Sequence, residues 1–283
     1  MWQRSLPALI LALGASTPAW AVLNDYATCV LVPFLFYENE GDDQSVTVGL
    51  KSRASGRIYW QFYDRDGNRR FRDDFSQDGG SFTPVVWSRE APDSLENNPG
   101  YGLFCLDTNG DGLINLSDQR ALAANAFLLQ EEGGSDDDVA FIPTLGLNAG
   151  NLFGLDPDGW SDNPIVSLPR GVSGNGLLEI QYLINDGNDD RTRVFIWTTE
   201  YAGTPTLDLL APDGTDQGDL SLPFMEDNLT VFDLSVSGGF PQGSGFLRWE
   251  LPFASGLQAF AFSIVRAEDF GASQTLLGHG RNP

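Results

Sequence analysis

The residues with the clearest chemical purpose lie in one run of twelve. From Asp107 to Asp118 the chain reads Asp-Thr-Asn-Gly-Asp-Gly-Leu-Ile-Asn-Leu-Ser-Asp, which puts oxygen-bearing side chains at positions one, three, five, nine and twelve: Asp107, Asn109, Asp111, Asn115 and Asp118. Leu113, at position seven, offers its backbone carbonyl. A hard cation such as calcium takes six to eight oxygens, and a short loop supplies them only if alternate residues point inward. Position six must turn sharply through a positive φ, and Gly112 stands there. Ile114, at position eight, is the apolar residue that packs such a loop against its neighbour. Three carboxylates converging without a cation repel one another. The pattern therefore predicts a bound Ca2+ ion.

This loop resembles an EF-hand, and most closely the dockerin variant, written D-x-N-x-D-G-x-I-N-x-x-D. That variant closes with Asp where the EF-hand has Glu, as Asp118 does here, and it lacks a proper entering helix. The resemblance implies calcium coordination by Asp107, Asn109, Asp111, Leu113, Asn115 and Asp118. Dockerin modules carry two such segments in tandem and only one is present here, so cohesin binding does not follow. Other acidic runs fit less well. Asp64-Arg65-Asp66-Gly67-Asn68 is followed by Arg69 and Arg70 with no closing acid in register, and reads as a hairpin turn. Asp186-Gly187-Asn188-Asp189-Asp190 lacks the position-six glycine and also reads as a turn. Asp136-Asp137-Asp138 reads as a solvated run.

Holding the loop requires an element on each side. Before it, residues 101–106 read as a strand. After it, residues 117–130 place Leu122, Ala123, Ala126, Phe127 and Leu129 at helical spacing among good helix formers, which predicts a short helix. Cys29 and Cys105 are the two cysteines, and an even pair in an exported chain reads as one disulfide. Closing that loop of about 77 residues stabilises the fold by roughly 4 to 5 kcal/mol on a chain-entropy reckoning. Cys105 stands two residues before Asp107, so the bridge would brace the entrance of the loop.

Elsewhere short β-rich runs alternate with Gly, Asp and Asn turns. Strands are expected over 29–36, 45–51, 57–63, 81–87, 101–106 and 139–143, then over 177–184, 193–199, 206–210, 229–235, 246–251 and 257–265. Ile58, Trp60 and Phe62 face one way, with Tyr59, Gln61 and Tyr63 facing the other. The spacing predicts a mainly β fold, antiparallel β-sandwich domains with one short helix after the calcium loop. Residues 148–176, rich in Gly, Pro, Asp and Asn, read as a linker or long inter-sheet loop. The expected organisation is a leader over 1–21, one sandwich over 22–150 and a second over 151–283.

The leader reading rests on Arg4, an apolar run of about ten residues too short to span a bilayer, and the small-x-small site Ala19-Trp20-Ala21. It implies an exported protein, periplasmic or extracellular. No later segment is apolar for long enough to predict a membrane span. The formal charge is −23, with Lys51 the only lysine beside fifteen arginines. Such a surface excludes nucleic acid and anionic membrane as electrostatic partners and favours cations.

His279 is the only histidine and lies in a Gly-rich tail, which removes His-based triads, zinc motifs and His acid–base catalysis. No catalytic motif stands out, though a pair among the acidic residues could still hydrolyse a glycoside. Of the tryptophans after the leader, Trp60, Trp87, Trp197 and Trp249 lie in apolar strand patterns and read as core. Trp160, in the loop run Asp156-Pro157-Asp158-Gly159-Trp160, is the candidate exposed ligand contact. Two readings compete at this stage. One is a calcium-clamped structural or adhesive protein that meets an extracellular protein or glycan. The other is a carbohydrate-binding module or glycosidase accessory.

Overall fold

The computed structural model describes residues 26–39, 44–132, 136–169, 171–184, 191–200, 203, 205–221, 228–234, 242–252, 256–267 and 272–281. The leader expected over 1–21 and the acidic turn at 186–190 lie outside the described residues. The chain is mainly antiparallel β, as its alternating runs predict.

The first half holds β1 (Cys29–Leu35), β2 (Tyr37–Glu38), β3 (Gln44–Ser52), β4 (Gly56–Asp64) and β5 (Arg69–Gln77). After them come β6 (Phe82–Val86), helix α1 (Trp87–Glu90), β7 (Gly100–Asp107), β8 (Leu122–Glu132), β9 (Asp136–Ile142) and β10 (Leu145–Leu147). They form two sheets: sheet I, in the order β10-β1-β7-β4-β5, and sheet II, in the order β2-β3-β8-β9 with β6 also on β3. The second half holds β11 (Val172–Ser173), β12 (Leu177–Ile184), β13 (Arg191–Thr198), β14 (Thr206–Leu210) and β15 (Asp216–Ser221). The remaining strands are β16 (Leu229–Leu234), β17 (Gly243–Glu250), β18 (Gln258–Ala267), β19 (Ala272–Leu277) and β20 (His279–Arg281). Sheet III runs β11-β18-β13-β16 with β19 on β18; sheet IV runs β15-β14-β17-β12-β20.

Residues 117–130 do not form the expected helix. Leu122–Glu132 is strand β8, paired with β3 from Gln44↔Gln130 to Ser52↔Leu122. From Ala124 on, the burial follows a period of two: Ala124, Ala126 and Leu128 are buried and Asn125, Phe127 and Leu129 exposed, with Leu122 and Ala123 both buried at the start. Helix propensity separates residues by only a few tenths of a kcal/mol, and a nine-residue ladder with core burial outweighs it. The α-helix among the described residues is instead α1, ahead of the loop and packed with its Trp87 buried between the sheets.

Sheet I is covered on both faces, which is why β1 and β7 are buried throughout. Ile58, Trp60 and Phe62 face sheet II, as their alternation predicts. There Trp60 stacks on Phe104 with centroids 5.4 Å apart, and Phe62 stacks on Trp87 at 4.7 Å. The opposite face carries Gln61, Tyr63, Tyr101 and Asp107. The segment at 148–171 lies over part of it: the Gln61 amide donates to the Pro157 carbonyl, Arg69 N donates to Ser161 O at 2.9 Å, and Leu152, Trp160, Ile165 and Leu168 join the core. Sheet III covers more, with Phe34 and Phe195 rings 4.7 Å apart and Tyr101 and Trp197 at 5.6 Å. The strand pairing thus passes from one set of sheets to the other between β10 and β11. The first hydrophobic core crosses that junction to include Phe195, Trp197, Leu229 and Phe262.

Candidate metal centre

Asp107 ends β7 and Leu122 begins β8, so residues 108–121 carry the chain from sheet I to sheet II. Both ends of the crossover are pinned. Cys105 is disulfide-bonded to Cys29, its direct cross-strand partner on β1. Leu106 N donates to Thr28 O at 2.9 Å, and Ala27 and Leu122 exchange backbone hydrogen bonds of 2.8 and 2.9 Å.

Within the loop each acidic side chain turns back onto the backbone. Asp107 Oδ1 accepts from the N–H groups of Asn109 (3.1 Å) and Gly110 (2.7 Å), and its Oδ2 from Gly112 N–H (2.9 Å). Gly112 takes the positive φ, +78°, that position six calls for, and Gly110 sits at +76°. Asp111 Oδ1 accepts from Leu113 N–H at 2.9 Å. Its Oδ2 receives the side-chain amides of Asn109 (3.2 Å) and Asn115 (2.9 Å), so the side chains at positions three, five and nine meet at one point. Asp118 closes the loop: Oδ1 accepts from Thr108 N–H and Oγ1, and Oδ2 from Asn115 N–H at 2.8 Å. Ile114 is fully buried, and its N–H donates to Leu155 O at 2.7 Å, so position eight docks the loop on the 148–171 segment.

Burial divides these acids. Asp107 is 1% exposed and Asp118 6%, whereas Asp111 is exposed. None of the ion pairs among the described residues involves any of the three. Among the described residues no three His, Cys, Asp or Glu side chains are gathered into a metal-holding group. Asp107, Asp111 and Asp118 thus do not form the three-carboxylate cluster that their spacing predicts, and the other candidate donors are the amide oxygens of Asn109 and Asn115 and the Leu113 carbonyl. Tyr59 borders the loop, its hydroxyl 3.8 Å from where a Cβ on Gly112 would stand. Burial raises the pKa of that phenol, Arg57 lowers it, and the charge of Asp107 raises it again.

Trp160 is not an exposed contact. It is 7% exposed and belongs to the first core, with Nε1 unpaired in the described structure and facing Gly154. The surface rings and chains of its segment are instead Phe153, Leu155 and Val166. A loop-borne Trp between Asp-Pro-Asp-Gly and Ser-Asp gives no local sign of burial, because what covers it comes from elsewhere in the chain. Trp60, Trp87, Trp197 and Trp249 are buried as expected. The Asp64–Asn68 run is the β4–β5 hairpin turn, with Gly67 at φ +86°. The backbone of Asp136–Asp138 lies in β9.

No protein-family description and no curated protein matches the chain. Solved structures resemble it only loosely. An α-L-rhamnosidase from Streptomyces avermitilis is 12% identical over 91% of this chain, with a TM-score of 0.24, and the match spans 26% of that enzyme. A lectin from Pleurotus ostreatus in complex with GalNAc is 13% identical over 90% of this chain and 87% of its own, with a TM-score of 0.23. The coconut allergen cocosin is 12% identical over 89% and 76%, with a TM-score of 0.22. Scores this low assign neither a fold family nor an activity.

Proposed function

We propose that residues 107–118 bind one calcium ion, which clamps the crossover between sheets I and II of an exported, non-enzymatic protein with a structural or adhesive role. The observation that carries this reading is the pair Asp107 and Asp118. They are buried carboxylates at the two ends of one loop, held inward by backbone N–H groups and served by none of the described ion pairs. A buried charge needs compensation, and an ion in the loop supplies it. The ligands would be Asp107, Asn109, Asp111, the Leu113 carbonyl, Asn115 and Asp118. The clamp would be fixed, since a strand enters the loop, another follows it, and the disulfide immobilises the entrance. The disulfide also fits an oxidising, exported setting. Extracellular modules bind calcium with dissociation constants of about 0.1 to 1 mM. At millimolar calcium this adds about 0.4 to 1.4 kcal/mol of stability.

Terbium replaces calcium in such loops and is sensitised by a nearby phenol. Excitation of the tyrosines should give terbium emission that calcium displaces and that falls in Tyr59→Phe. Absence of calcium-displaceable emission in the wild-type chain would refute the site.

A further inference from the structure

The outward face of sheet II carries a depression of about 310 Å³, at the small end for a ligand site and suited to one ring. Small residues make its floor. Gly49 on β3 is paired with Asn125 on β8, and Lys51 on β3 lies between Ala123 on one side and Phe82 on the other. The Phe82 ring lies over Gly49, where a Cβ would stand 2.6 Å from its Cζ; the ring is 62% exposed. Glycine thus leaves room for an aromatic ring against the sheet. Arg53 stacks its guanidinium on Tyr26, 3.6 Å from the ring centroid, which leaves the N–H edge available for a planar acceptor. Neither Lys51 nor Arg53 takes part in any ion pair among the described residues. In a chain of charge −23, its single lysine and an arginine outside the ion pairs of the described residues therefore share one concave site with an aromatic platform and an exposed amide.

We propose that this pocket binds a terminal uronic acid residue of a glycan. Arg53 and Lys51 take the carboxylate, by bidentate hydrogen bonds and as a point charge respectively. Phe82 packs against the apolar face of the pyranose, and Asn125 serves a ring hydroxyl. The remaining surface repels a polyanion, so the site selects a chain end with one carboxylate over a run of uronates. This site is independent of the calcium loop and does not involve Trp160.

The test is calorimetric titration of the full exported chain with methyl glucuronide, methyl glucoside, acetate and a short acidic peptide. Methyl glucuronide should bind at least about tenfold more tightly than each of the others, and Lys51→Gln, Arg53→Gln and Phe82→Ala should each weaken it by about tenfold or more. Unchanged melting temperatures would show that these exposed substitutions leave the fold intact. Because Lys51 is the only lysine, carbodiimide coupling of the glucuronide should form an amide at Lys51, read by peptide mass. Equal binding of the neutral sugar, of acetate or of the peptide would overturn the proposal, as would no binding or a labelled position away from Lys51.

Discussion

Two acidic turns in this molecule look alike in sequence and are satisfied differently. At the β4–β5 hairpin, Asp64 accepts from Asn68 N–H at 2.8 Å and pairs with Arg70 at 2.5 Å, a cation delivered by the same hairpin. In the crossover loop, Asp107 and Asp118 have backbone partners, and the described ion pairs bring them no cation. The Asp64 pair sits at the surface, whereas Asp107 and Asp118 are buried. The difference teaches that an acidic turn ending in Asp-Gly says little until the partners of its carboxylates are known. A hairpin followed by two arginines supplies its own cation, whereas the carboxylates of the crossover loop are met by backbone N–H groups.

Five changes would break or sharpen this contrast. The largest effect is expected at the loop entrance. Replacing Cys29 and Cys105 together by Ser should cost about 4 kcal/mol by denaturant titration, since the bridge closes a span of 76 residues. A loss under about 1 kcal/mol would mean that the strands hold the entrance unaided. Next, Asp107→Ala strands the donors of Asn109, Gly110 and Gly112, and should cost about 2 to 4 kcal/mol even without calcium. Gly112→Ala meets no close atom but must hold φ +78°, so about 1 to 2 kcal/mol is expected, with weaker calcium binding. Chelation of the wild-type chain should remove about 0.4 to 1.4 kcal/mol at millimolar calcium. Smallest of all, Asp64→Asn keeps the turn acceptor and loses an exposed ion pair; it should move stability by no more than about 0.5 kcal/mol and leave any calcium response intact. A calcium response that vanished in Asp64→Asn would place the ion in the wrong turn.

Much of the framework could be read from local patterns, because burial on one face imposes a period of two. The alternation of Ile58, Trp60 and Phe62 marks β4, and an even pair of cysteines marks the bridge. What could not be read depended on partners far away in sequence. Residues 122–132 fit helix and strand equally well until β3 pairs with them. Strand β5, Arg-Arg-Phe-Arg-Asp-Asp-Phe-Ser-Gln, carries the charges of an exposed sheet edge, and these hide the spacing of Phe71 and Phe75. Trp160 looks exposed until residues 148–171 are laid over sheet I. At the loop, the spacing of the oxygens was legible, but the burial that separates Asp107 and Asp118 from Asp111 was not. The uronate pocket left no local signature, since Lys51, Phe82 and Asn125 come from three strands that only pairing brings together.

That separation supplies the most direct test. Asp111 is exposed and its hydrogen bonds lie within the loop, so its removal should spare the core and remove a ligand. Calcium titration followed by calorimetry and thermal melting, on wild type and Asp111→Ala, should give one site and a raised melting temperature in the wild type. Asp111→Ala should match the chelated wild type in melting temperature and show no calcium response. A wild-type chain that binds no calcium, or an Asp111→Ala chain that responds as the wild type does, would contradict the clamp.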